Sequence, residues 1–109
     1  MTYCTCSGIH KGSTPSLLFN TNAPLTNMDK IVLTFRQLDN IVLEKEDSAI
    51  VVVDTDTVKV KLTQEETLLF SHRYPIDVQL RIRYKSGGAT VTSDISSFKM
   101  SEVIKNEVI

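Results

Sequence analysis

Tryptophan is absent from this 109-residue chain, and only 4 Phe and 3 Tyr supply aromatic rings. That leaves little from which to build a stacking platform for bases or sugars. Cysteine is scarce as well: Cys4 and Cys6 are the only two, and they lie two positions apart near the start. Such a spacing is poor geometry for a bridge between distant parts of a fold, so folding is expected to be independent of a disulfide. No apolar run approaches the roughly 20 residues that a bilayer-spanning helix needs. The first residues are polar rather than a charged stretch followed by an apolar one, so a soluble chain without a classical export signal is expected. An excess of one charge is missing too, with 12 Lys and Arg against 13 Asp and Glu. No global field draws the chain toward nucleic acid or an anionic membrane, and any electrostatic partner must be met by a local patch.

What the sequence does contain is alternation. Val58, Val60 and Leu62 alternate with Lys59 and Lys61, and Ile76, Val78, Leu80, Ile82 and Tyr84 alternate with Asp77, Gln79, Arg81, Arg83 and Lys85. Both runs have the period of a half-buried strand. Between them, Thr63 and Glu66 fit the S/T-x-x-E capping box, which predicts a short helical turn beginning at Gln64. Leu68, Leu69 and Phe70 give that turn an apolar end, and Pro75 prevents it from running into the next strand.

Elsewhere the signals are shorter. Residues 1–13 are small and polar without a sustained period and read as a flexible N-terminal arm, leaving residues 14–109 as a single domain. Residues 16–19 predict a short strand, and residues 20–27, with Pro24, a loop. Residues 30–37 place Ile31, Leu33 and Phe35 on one strand face. Asp39 and Asn40 tolerate the left-handed backbone of a tight hairpin, and the following strand should put Ile41 and Leu43 on a common face. Residues 49–53 form a continuous β-branched run, and residues 54–56 turn the chain. After a glycine turn at residues 86–89, Val91 and Ile95 share a face while Phe98 and Met100 have the opposite parity, so a bulge or break is expected near Ser96 and Ser97. The tail over residues 101–109 fits a last strand or one helical turn. Seven or eight short strands with one helical insertion predict an all-β, immunoglobulin-like antiparallel sandwich, with a small closed barrel as the alternative.

The order of a strand IVLTF, a hairpin to IVLEK, a strand ending KVKLTQEETLLF, then PIDVQLRIRY, a glycine turn and a strand beginning TSDI resembles small proteins encoded among the tail and baseplate genes of phages and prophages of low-GC Gram-positive bacteria. It is similar to the N-terminal sandwich domain of phage baseplate proteins. The resemblance spans roughly residues 16–109. It implies a virion building block without catalysis, assembled in the bacterial host cytoplasm, repeated around a symmetry axis as a homo-oligomer and in contact with other tail proteins. It says nothing of the arm.

Two groups of side chains stand out as candidate sites. Cys4, Cys6 and His10 form C-x-C-x3-H, three soft ligands for one zinc ion, with the fourth to come from His72 or a neighbouring subunit. The bland alternative is a loose tail with two thiols. Lys59, Lys61, Arg81, Arg83 and Lys85 project from the solvent faces of the two central strands and would merge into a basic stripe if those strands were neighbours. Such a stripe can grip phosphates, but neutral net charge and abundant acids at Glu44, Glu46, Asp47, Glu65 and Glu66 favour a protein interface over nucleic acid. Asp54 and Asp56 lack the full calcium ladder and read as an ordinary turn. No acid, base and nucleophile fall together on rigid elements, so catalysis is not expected. The alternative function is a small binding module that recognises a surface ligand or glycan through residues 20–27 and 71–75, where Tyr74 is the one aromatic residue.

Overall fold

A computed structural model describes residues 3–5, 8–21, 23–85, 88–93 and 95–109, with side chains from residue 8 onward. The described chain is mostly β. Nine strands, β1 (Tyr3–Thr5), β2 (Ser16–Asn20), β3 (Met28–Gln37), β4 (Asn40–Glu46), β5 (Ile50–Asp54), β6 (Thr57–Lys61), β7 (Ile76–Tyr84), β8 (Thr90–Thr92) and β9 (Ser96–Phe98), surround one helix, α1 (Gln64–Leu68). The first sheet has the order β1-β2-β6-β5. The second has the order β4-β3-β7, and β8 and β9 share the far side of β7. All pairings between strands are antiparallel.

Alternation explains why these two sheets pack face to face. Leu17 and Phe19 of β2 and Val58 and Val60 of β6 are buried on one inner face, and Ile31, Leu33, Phe35, Val78 and Leu80 are buried on the other. Phe35 joins the layers: its ring lies edge-on to Phe19 at 6.4 Å across the sandwich and edge-on to Phe70 at 6.1 Å, just beyond α1. Each such aromatic pair contributes about 0.5–1.5 kcal/mol beyond the area it buries.

The helical insertion forms as its capping box predicts. Thr63 Oγ1 accepts the Glu66 N–H at 3.2 Å, and Glu66 Oε1 accepts the Thr63 N–H at 2.9 Å. Of the apolar end, Phe70 enters the core while Leu69 stays 59% exposed. Glu66 has a second task, because its Oε2 lies 2.6 Å from Nζ of Lys45. Lys45 stands opposite Leu33 and so on the inner face of the sheet, where its ammonium needs a counter-charge. Burial pushes the Glu66 carboxyl up, but the bonds from Lys45 and the Thr63 N–H outweigh it and hold the group below its ordinary value of 4.5.

Gln37, the last residue of β3, is buried at 8% exposure and locks the loop that follows α1. Its Nε2 donates to Ser71 O at 2.7 Å and Tyr74 O at 3.0 Å, and its Oε1 accepts the Ser71 N–H at 2.8 Å. One side chain thus meets three backbone groups that no ladder could reach.

Several expectations need correction. Residues 3–5 and 8–13 are built into the domain rather than forming an arm outside it: β1 pairs with β2, Ile9 is a core residue, and Ile9 O accepts the Ser101 N–H at 2.7 Å. The buried Thr67 hydroxyl accepts the Gly12 N–H at 2.9 Å and lies 3.1 Å from Ser13 O. This segment is held by glycine turns and side-chain bonds instead of an extended ladder, so it shows no period. In the β3–β4 hairpin the two-residue loop is Leu38–Asp39, with Leu38 at φ +55°, while Asn40 already pairs with Gln37. A bulge then places Ile41 opposite Arg36 and Leu43 opposite Phe35, so the two fall on opposite faces and Ile41 is 65% exposed. One inserted residue flips the parity. β8 ends at Thr92 and β9 begins at Ser96, so the interruption comes earlier than expected, and Ser93 accepts the Leu80 N–H on Oγ at 3.0 Å. The tail becomes neither strand nor helical turn, apart from a single parallel bridge between Ser101 and His10.

Two stability predictions arise from these contacts. A Gln37→Glu variant keeps the acceptor but aims a carboxylate at two carbonyls, and should lose about 2–4 kcal/mol in urea unfolding. Unchanged stability would show that the clamp holds nothing. Because the folded-state Glu66 value is depressed, its stabilisation is present above the ordinary carboxylate range and is lost as pH falls through the folded value. Glu66→Gln should therefore cost about 1–2 kcal/mol at neutral pH, and the urea midpoints of variant and parent should converge as the pH falls through the depressed folded-state value.

Candidate interaction surfaces

Lys30, Arg36 and Arg83 of the second sheet are each held by acids from neighbouring segments. On the outer face of that sheet, Lys30 Nζ lies 3.3 Å from Glu46 and 3.2 Å from Asp47. Arg83 reaches Asp29 through Nε at 2.9 Å and through its terminal nitrogen at 2.8 Å. Arg36 does the same to Asp77, whose other oxygen accepts the Ser97 hydroxyl at 2.7 Å. The Ser97 hydroxyl and the Arg36 guanidinium hold the Asp77 carboxyl below its ordinary range, and the Ile31 N–H and Lys30 do so for Asp47.

The expected basic stripe does not assemble. Lys59 and Lys61 lie on β6, and Arg81, Arg83 and Lys85 lie on or beside β7; these strands belong to different sheets. Their solvent faces look in opposite directions, because the inner faces of both strands meet in the core. The helical insertion is the reason: residues that follow one another in sequence cross from one sheet to the other through α1. Arg83 is bound to Asp29, whereas Lys59, Lys61, Arg81 and Lys85 make no ion pair among the described residues.

The zinc triad is placed only in part. His10 is exposed and its backbone bridges Ser101; the backbone of Cys4 lies in β1 opposite Phe19; Cys6 lies outside the described residues. His72, proposed as a fourth ligand, has Nε2 3.9 Å from Glu102. Among the described residues no three His, Cys, Asp or Glu side chains converge as a metal site. In the β5–β6 turn, Asp54 Oδ1 accepts the Thr55 N–H at 2.7 Å and Asp56 Oδ1 accepts the Thr57 hydroxyl at 3.2 Å. Both carboxylates thus serve the turn itself.

The two loops singled out as a binding surface lie at opposite ends of the sandwich. Residues 20–27 precede β3 and are tied down by Thr21 N–H to Asp56 O at 2.7 Å and Tyr84 Oη to Pro24 O at 2.5 Å. Residues 71–75 are clamped to Gln37 at the other end of that ten-residue strand, about 30 Å away. They cannot close on one small ligand.

Three features were not visible in the sequence. A shallow groove of about 300 Å³ runs over the outer face of the second sheet, floored by Arg36 and Asp77 and flanked by the exposed Ile41 and Ile95. The bulge in β4 turned Ile41 outward to make it. At the α1 end, Leu38, Leu69 and Tyr74 are exposed on loops that Gln37 holds together, and Ile104 of the tail is wholly exposed. Along the free side of β5, Val51, Val52 and Val53 are 50%, 46% and 49% exposed. The β-branched run was legible, but its place at a sheet edge depends on long-range pairing.

No protein-family model matches this chain, and no curated protein or solved structure matches it either.

Proposed function

We propose that the chain is a non-enzymatic structural protein of a phage tail or baseplate, an assembly module acting through its sheet edges and terminal segments. Its sandwich is of the immunoglobulin-like kind: the orders β1-β2-β6-β5 and β4-β3-β7-β8 correspond to A-B-E-D and C′-C-F-G, with α1 inserted between E and F. It does without the inter-sheet disulfide and the tryptophan of antibody domains, and Phe35 is the core aromatic residue of the strand equivalent to C.

The observation that carries the reading is where the exposed apolar side chains lie. Most gather on the free edge of β5 and at the α1 end, and Ile41 and Ile95 flank a shallow groove on the outer face of the second sheet. Broad, shallow apolar surfaces of this sort suit protein contacts, whereas small-molecule sites are concave and enclosing. The strand and helix order in which the sequence resembles tail and baseplate proteins is also the order of β3, β4, β6, α1 and β7. The partners are further copies of the chain and other tail proteins, and the location is the virion, assembled in the cytoplasm of the bacterial host.

The test is composition. Tail particles purified from cells that encode the chain should contain it as an integral multiple of the symmetry of the tail, measured by quantitative mass spectrometry. Disruption of its gene should yield particles arrested before tail or baseplate completion. Particles that lack the chain and assemble normally without it overturn the reading.

A further inference from the structure

The two sheets have four edges among the described residues, and three of them carry features that discourage another strand from adding. β4 presents Glu44, Lys45 and Glu46 in succession. The far side of β7 is divided between β8 and β9, three residues each. β1 is three residues long. Charge, shortness and interruption are the usual means by which natural sheets protect their edges. β5 differs. Among the described residues β6 is the one strand paired with it, and its sequence Ile-Val-Val-Val-Asp has no charge before Asp54. Ile50 is buried at 6% exposure and anchors the strand, while the three valines that follow stay about half exposed. A register shift between Val52 and Asp54 bends the end of the strand and leaves residues 50–52 straight.

An open edge of this kind offers N–H and C=O groups on alternate residues, here Ile50 O and both groups of Val52, with the Ile50 N–H already given to Asp47 O, and it binds another strand by extending that ladder. We propose that β5 pairs with β5 of a second copy of this chain, antiparallel about a two-fold axis through Val51, joining two first sheets into one continuous sheet. A two-fold perpendicular to the sheet keeps each face on its own side, so directly opposed residues must point the same way. Centring on Val51 meets that condition: Val51 faces Val51, and Ile50 faces Val52, the latter two both on the inner side opposite Val60 and Val58. Every directly opposed side chain is apolar and no like charges meet. The same pairing of β4 about Lys45 would bring two ammonium groups together, which is why the second copy adds at β5.

The nearest charge is Lys59, which stands opposite Val51 on β6. It lies one strand away from the axis on each side, where it borders the new interface without entering it. This inference narrows the assembly reading to one edge and requires no particular particle.

The experiment is solution mass by light scattering on the full chain over a range of concentrations. The parent should approach twice the 12.2 kDa chain mass as concentration rises. Val51→Lys sets two ammonium groups face to face beside Lys59 and should remain a monomer, and Val51→Glu should likewise remain a monomer. Equimolar mixing of the two variants should restore the dimer, because opposite charges then meet at the axis. Thermal unfolding of each variant, with a single cooperative transition, shows that the monomer has kept its fold. A parent that stays monomeric, or a dimer that survives both variants, overturns the β5 pairing. In the second case the oligomer remains, so the assembly reading stands while this edge is excluded from it. Absence of the chain from tail particles would remove that reading and leave the dimer untouched.

Discussion

Phe35 is the contact on which the rest of the molecule depends. It is the one ring that touches both of the others in the interior: Phe19 from the opposite sheet and Phe70 from the insertion. Without Phe19 the sheets would lose an aromatic link across the sandwich, and without Phe70 the loop beyond α1 would have no apolar anchor. Removing a buried phenylalanine costs about 3–5 kcal/mol, against a total stability of about 5–15 kcal/mol for a domain. The scarcity of aromatics makes this concentration more telling, because the chain has no spare ring with which to replace it. Phe35 also fixes the register of β3, being opposed by Leu43 on one side and Val78 on the other.

Polar contacts then decide what aromatic packing leaves open, namely where the irregular segments go. Gln37 secures residues 71–74 to the end of β3, Thr67 receives the segment around Gly12, and Glu66 joins helix capping to the neutralisation of Lys45. Each is a side chain meeting groups far away in sequence. Because buried polar groups are costly when unpaired, these contacts select one loop arrangement more strongly than their modest net energies suggest. The acids and bases on the outer face of the second sheet are a different matter. Their pairs are solvent-exposed and worth little in stability, yet they leave that face with few free charges.

What the sequence made legible was whatever depends on neighbours in sequence. The alternation of β3, β6 and β7 and the capping box at Thr63 and Glu66 survive in the structure because period and cap chemistry are local. Parity failed at Ile41, where an inserted residue in β4 can be recognised only once the partner strand is known. The turn was misplaced by one residue because Leu38 takes the left-handed conformation that Asp39 and Asn40 adopt more cheaply. The basic stripe failed for a topological reason: two strands adjacent in sequence were imagined as neighbours in space, while the insertion between them carries the chain to the other sheet. The role of Gln37 carried no local signal at all, since an amide at the end of a strand looks the same whether it clamps a loop or meets water.

The same distinction bears on function. A binding pocket would be signalled by polar groups converging on an enclosed volume, yet here the loops are tied to the scaffold and lie at opposite ends of a ten-residue strand. What remains unmatched is backbone at an edge and apolar surface at one end. An edge strand that lacks charge is a liability for a protein meant to stay alone, and the neighbouring strand β4 shows that this chain uses charge freely where an edge is to be kept apart. β5, with no charge before its last residue Asp54, is the edge on which the proposed pairing rests. Leu38 is a separate cost of the fold: an exposed leucine in a left-handed turn carries strain that glycine or asparagine would spare.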